Sequence, residues 1–426
     1  MMRSVFQDIV AFMEQRLEKR PRGFDLFTKE MLSACLGAFD EDATTVYVSG
    51  YAFPTELLWA FDIVPFDFEI ACNNLPQATG GNGSSIMIHS ENEGYSRDIC
   101  SFYRLIIGCM IQGMLPKGDL YLTSSYYCHG KAKANEIVAS SEGKESVLFD
   151  VPNEISPSSI RYVVSQLKEI TSKLETITGQ TFDLDKLKEA VSWSNRARSL
   201  LIEINNLMKA KPCPWDGARA CLLALGGAIF WGSPIMYNIN QMLIQEIQAR
   251  IEKGTAMPEK YRILWYPWVP VQQTNIFSTL RENQASVVMA EVANVWWSEI
   301  DEASPFEALA LKALENLLVG KAEKRVKSIV KLAEDYDVDG VIHFSTPACR
   351  HENFSSCLIL DALNDKGIPF LNLDGDMTDE RNYSPKRTMN TLCLFLEVMK
   401  NRKAAGAGNG SRQVIDQLFF RNDSFG

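Results

Sequence analysis

The chain reads as α/β, with two parallel-sheet domains of Rossmann or flavodoxin type separated by a helical insert. Three observations predict this. Short β-branched and aromatic runs alternate with amphipathic stretches in both halves of the chain, the pattern of parallel strands covered by helices on both faces. Residues 156–255 between them keep a 3.6-residue apolar period and carry no strand signal. The length of 426 residues exceeds the size at which one hydrophobic core usually stops growing, so two domains are expected.

Taken in order, residues 1–40 form a helical segment and 41–155 the first α/β domain. Its strands are TVYVSGY (Thr45–Tyr51), IVPFDF (Ile63–Phe68), DLYLTSS (Asp119–Ser125) and SVLFDV (Ser146–Val151). In the helical insert, one amphipathic run stops at Gly179, and KPCPWDG (Lys211–Gly217) marks a break because proline cannot sit in a helix interior. The stretch ACLLALGGAIFWG (Ala220–Gly232) is too short to span a bilayer and reads as a buried helix. The second α/β domain, 256–426, carries YRILWYPWV (Tyr261–Val269), SVVMAEV (Ser286–Val292), GVIHFS (Gly340–Ser345) and PFLNLDGD (Pro369–Asp376). There is no internal repeat and no coiled-coil heptad. ATGGNGSS (Ala78–Ser85) fits neither a P-loop nor a dinucleotide fingerprint and reads as a mobile surface loop, while KAAGAGNGSRQ (Lys403–Gln413) has the composition of a flexible linker.

Composition narrows the function classes. Hydrophobic content of 46% and charged content of 23% describe a globular protein with large cores. A net charge of -10 with no basic run interleaved with aromatics repels phosphate backbones, so no nucleic-acid partner is expected. The N-terminus MMRSVFQDIV lacks the apolar core and cleavage site of a secretory signal, and the expected location is the cytoplasm, away from any membrane. The ten cysteines of a chain in that reducing compartment are thiols, metal ligands or redox groups rather than disulfides. The four histidines, His89, His129, His343 and His351, form no His-Glu-x-x-His motif, and no paired Cys-x-x-Cys occurs, which argues against zinc.

In an open parallel sheet, ligands bind outside the carboxyl ends of the strands. Cys128 follows the strand ending near Ser125, and Cys349 follows GVIHFSTPA, again just past a strand. Cys100 stands near the start of a helix, where the dipole favours a thiolate. Three thiolates in one cleft can hold a cubane iron-sulfur cluster and leave its fourth iron open. Read by spacing alone, the same residues are more simply ordinary buried thiols.

The blocks YAFPTELLWAFDIVPFDF, CSFYRLIIG, DLYLTSSYYCHGKAK, GVIHFSTPACRHEN and GIPFLNLDGDMTDERNYSPKRTMNTLCLFLEVM resemble, in this order, those of the 2-hydroxyacyl-CoA dehydratase and benzoyl-CoA reductase superfamily. The resemblance runs through both α/β domains. It implies a 4Fe-4S cluster in the cleft between them, held by Cys100, Cys128 and Cys349, and it places Glu56 as a proton-transfer group facing that cleft. A helix N-terminal carboxylate favoured by the dipole explains Glu56 equally well. His129 stands where the family commonly has aspartate, and SPKRTMN replaces its Gln-x-x-Thr-Arg stretch; both departures bear on substrate and subtype. The related double-cubane branch carries an 8Fe-9S cluster needing extra thiolates, for which Cys72, Cys109 and Cys357 are the candidates. Cys109 and Cys357 read more simply as core residues on the buried side of a helix, and Cys35, Cys213, Cys221 and Cys393 also read as core.

The implied function is the iron-sulfur catalytic component of a low-potential reductive enzyme, either an acyl-CoA dehydratase or an aromatic-ring reductase. The implied partners are a homologous subunit, in a homo- or heterodimer, and an ATP-dependent activator with its own iron-sulfur cluster. This chain has no P-loop, so ATP use belongs to that activator. The alternatives are a double-cubane reductase acting on a small molecule without CoA, and a non-catalytic partner subunit that only shapes the cleft.

Overall fold

The computed structural model describes residues 2–78, 83–270 and 274–404. The Gly-rich stretch is only partly covered: positions 79–82 lie outside the described residues, and Gly83 already opens a helix, Gly83–Asn92. Of the expected C-terminal linker, Lys403 and Ala404 finish the helix Pro385–Ala404, and the rest lies outside the described residues.

Among the described residues, eight strands form two sheets of four. The first holds β1 (Val46–Val48), β2 (Phe66–Asp67), β3 (Leu120–Ser124) and β4 (Ser146–Phe149); the second holds β5 (Tyr261–Tyr266), β6 (Ala285–Ala290), β7 (Gly340–Ser345) and β8 (Phe370–Asp374). All pairings are parallel. The sheets share one plan: β2-β1-β3-β4 in the first and β6-β5-β7-β8 in the second. This flavodoxin-like order has its switch point between the first and third strands, where crossovers leave in opposite directions and open a crevice at the carboxyl ends. Every residue of β3 and of β5 is buried, as expected for parallel strands covered on both faces.

The helical insert is built from Pro157–Thr178, Leu184–Leu207, Gly217–Gly226 and Pro234–Glu252. Its boundaries follow local chemistry. Ser156, Asp183, Asp216 and Ser233 each accept a backbone N–H of the following first turn, satisfying donors the helix itself cannot. Gly179 closes the first of these helices at φ 68°, the left-handed conformation that glycine adopts without a Cβ penalty. Among the described residues no helix is long and apolar enough to cross a membrane.

The helices Gly83–Asn92 and Ser101–Ile111 meet backbone to backbone at Gly108, where an added Cβ would lie 2.4 Å from the carbonyl oxygen of Ile86. Gly108→Ala should therefore lower stability by about 1 to 3 kcal/mol despite alanine's better helix propensity, because two packed helices must separate. Chemical denaturation measures this. An unchanged midpoint would mean the helices part without cost.

The two halves are tied by a buried ionic network beside this helix pair. Arg104, 1% exposed, pairs with Glu91 at 2.5 Å and with Asp379 at 2.9 Å. Arg381 bridges the same carboxylates, at 2.5 Å to Glu91 and 2.8 Å to Asp379. Ser101 Oγ donates to Asp376 Oδ1 at 2.6 Å. The loop that follows β8 is thereby fastened to the helix that Cys100 precedes.

Candidate functional site

The loops leaving β3 and β7 meet in a cleft of about 700 Å³ whose lining includes Cys100, Cys128 and Cys349. Cys128 and Cys349 stand at matching points, each four residues past the end of its strand. All three cysteines also share one local setting: Cys100 immediately precedes the helix Ser101–Ile111, Cys128 precedes His129–Ser141, and Cys349 precedes the single turn Arg350–Asn353. Peptide dipoles and unpaired N–H groups at such ends favour negative charge.

At Cys100 and Cys349 burial opposes that preference and wins. It pushes the Cys100 thiol up to about 12, although the N–H groups of Phe102 and Tyr103 act in the other direction. The dipole effect expected from sequence is thus present but outweighed by desolvation. Burial, followed by the nearby charge of Glu352, raises Cys349 well above the ordinary thiol range. Such thiols ionise when a cation replaces the lost solvation, which bound iron does. Among the described residues, no three His, Cys, Asp or Glu side chains converge tightly enough for a single metal ion. A cubane presents a different iron to each thiol, so three thiols lining one cleft need not converge on a single point to hold one.

The other sequence candidates lie elsewhere. Cys72 and Cys109 are fully buried, interact through their thiols and have Cys35 as a neighbour; none of these three lines the cleft. Cys357 is exposed, contrary to the core reading, because the helix Ser356–Asp365 buries Ile359 and Leu363 instead. Cys393 is exposed too: its helix turns Leu392, Phe395, Leu396 and Met399 inward. Cys213 and Cys221 are buried, as expected.

Glu56 is not among the lining residues of the cleft. It is completely buried, ion-paired with Lys312 and accepts a hydrogen bond from Ser194 Oγ at 2.7 Å. Lys312 in turn sits over the rings of Trp231 and Trp297, at 5.4 and 5.2 Å from their centroids. The expectation that Glu56 faces the cleft is corrected: a short strand-to-helix turn carries it inward, where a buried cation compensates its charge.

Sequence reading missed much of the cleft wall. Tyr51, Tyr127 and Trp268 line one side and pack edge-on or tilted at 5.8 to 6.3 Å. His351 packs on Tyr127 at 5.8 Å; burial, then Arg325, pulls it down to about 4, which makes the imidazole neutral at physiological pH. Asp67 and Glu69 project from the end of β2 and the helix behind it. The signal was available in PFDFE, where two carboxylates interrupt an apolar strand end at the mouth of a parallel sheet.

Comparison with known proteins agrees with this architecture. Residues 51–399 match the family model described as 2-hydroxyglutaryl-CoA dehydratase, D-component. The alpha subunit of the (R)-phenyllactyl-CoA dehydratase of Clostridium sporogenes is 25% identical over 77% of this chain and 83% of its own length. One of the benzoyl-CoA reductase subunits of Thauera aromatica is 25% identical over 86% and 90%, and the alpha subunit of the lactoyl-CoA dehydratase of Anaerotignum propionicum 23% over 88% and 97%.

Proposed function

Because the chain belongs to the family of the 2-hydroxyglutaryl-CoA dehydratase D-component, we propose that it is the cluster-bearing subunit of a low-potential acyl-CoA dehydratase or reductase. The observation that carries this reading is the convergence of Cys100, Cys128 and Cys349 on one cleft, each at a helix start. Those three thiols would hold a 4Fe-4S cluster, and when bound it would supply single electrons at low potential and an open iron as Lewis acid. The chain's own part is to fix the thiols on rigid element ends, to exclude bulk water with Tyr51, Tyr127 and Trp268, and to present a neutral His351 beside the site.

The relatives include both an alpha and a beta chain of one dehydratase, which supports a homologous partner subunit here as well. An ATP-dependent activator with its own cluster would deliver the electrons. The placement of Cys72 and Cys109 in the core, away from the cleft, favours one cubane over the double-cubane arrangement.

Anaerobic purification followed by iron and acid-labile sulfide analysis tests the proposal. About four irons per chain are expected, the content of a single cubane. Cys109→Ala should leave that number unchanged while lowering stability by roughly 1 kcal/mol through a small cavity. Iron-free protein prepared under strict anoxia would overturn the reading, and about eight irons, halved by Cys109→Ala, would transfer it to the double-cubane class.

A further inference from the structure

Two carboxylates in the cleft wall carry no role in the reading above. Asp67 and Glu69 both line the cleft and retain 3% and 9% of their surface. Asp67 accepts the N–H of Gly50 on Oδ2 at 2.8 Å and that of Ile70 on Oδ1 at 3.0 Å, and Glu69 Oε2 accepts from Ser49 Oγ at 2.7 Å. The cation acting on both is Lys131, itself fully buried, which donates to the carbonyl of Tyr126 at 2.7 Å and lies 4.6 Å from the Tyr127 ring centroid.

Charge counting then decides the protonation state. With every group ionised, two carboxylates face one ammonium and leave a net negative charge in a desolvated wall; keeping one proton on the pair removes it. We propose that Asp67 and Glu69 share one proton at neutral pH and form the acid of the cleft, handing it to a ligand oxygen through Glu69, the more exposed member. This rests on the cleft being the reaction site proposed above. In the transfer, a carboxyl O–H bond breaks as an O–H bond forms on the ligand oxygen. The electron pair stays on the carboxylate, which Lys131 and the N–H groups of Gly50 and Ile70 stabilise until solvent returns a proton.

The electrostatics agree. Burial first, and Glu69 second, push Asp67 up to about 7, and burial raises Glu69 as well. The other titratable groups facing the pair are Cys72, Cys35, Tyr103 and Tyr127. Burial raises all four, so they are uncharged at neutral pH and leave the carboxylates to titrate against each other and Lys131.

A raised carboxyl pKa makes the folded state hold a proton that the unfolded state releases near pH 4. Folding stability is thus fully present below about pH 4 and is lost as pH rises to about 7, up to tenfold in the folding constant per pH unit. In Glu69→Gln, Asp67 keeps its burial but loses its like-charged neighbour, so this slope should span a narrower pH range than in wild type; Asp67→Asn should act alike where it folds, its amide having to meet backbone N–H donors. Iron content should stay at the wild-type value in both variants, while turnover falls about 10²- to 10⁴-fold, the usual contribution of a general acid. A wild-type slope over the wild-type pH range in Glu69→Gln would overturn the shared proton, and retained turnover with the slope narrowed would overturn its catalytic use. Iron-free protein that still shows the slope would sink the proposed function while leaving the shared proton intact.

Discussion

Cys128→Ser is expected to abolish cluster binding and, with it, turnover. A serine hydroxyl is a hard, rarely ionised oxygen where an iron-sulfur site requires a soft thiolate, so under the proposed assignment the change removes one of three protein ligands. Cys100→Ser and Cys349→Ser should behave alike, because the three thiols line one cleft. Iron and sulfide analysis with low-temperature EPR of the reduced protein reads the effect. The contrast is Cys357→Ser: this thiol is exposed, and the variant should keep full iron and a stability within about 0.5 kcal/mol of wild type. Full iron in all three cleft variants would refute the ligand assignment.

Arg104→Met should cost about 3 kcal/mol, the penalty for leaving buried carboxylates without their cation while roughly preserving side-chain volume. Glu91 and Asp379 lose their buried cation, and the remaining one, Arg381, has a side chain 26% exposed. Arg381→Ala should cost less, about 1 kcal/mol, for that reason. Burial pushes Asp379 up, but hydrogen bonds from Arg381 and Arg104 hold it below the usual carboxylate range. The stability this network adds is therefore present above the ordinary carboxyl pKa and lost on acidification, opposite in sign to the Asp67 and Glu69 pair. Thermal melts of wild type and Arg104→Met should converge at acid pH; a constant gap between them would show that packing, not charge, holds this corner.

The strands were legible because parallel strands buried on both faces are written as short apolar runs, and each of the eight runs contains or overlaps an observed strand. That the three cysteines line one cleft was suggested by their places beside elements that periodicity reveals, and their grouping came from the resemblance of the surrounding blocks. What sequence could not reveal was direction. Cys357 and Cys393 sit in amphipathic helices whose buried stripe is set by neighbours distant in the chain, and Glu56 turns inward because Lys312, 256 positions on, waits there. The repetition of one strand order in both sheets was equally invisible, since the same path of crossovers can be followed by sequences sharing no residues. Asp67 and Glu69 escaped because Asp67 lies inside the strand run Ile63–Phe68 and Glu69 just past it, so strand reading absorbs them rather than marking them as occupants of a cleft.

Two of the three thiols, Cys100 and Cys128, come from the half of the chain built on the first sheet, and Cys349 comes from the half built on the second. Neither half alone presents the full trio, so if these thiols hold the cluster proposed above, the order of maturation is constrained: both halves must fold and dock, fastened at Arg104 and Asp379, before it can be received. Docking is in effect a checkpoint, and a nascent chain whose second half is still being synthesised offers a metal donor only a pair of thiols.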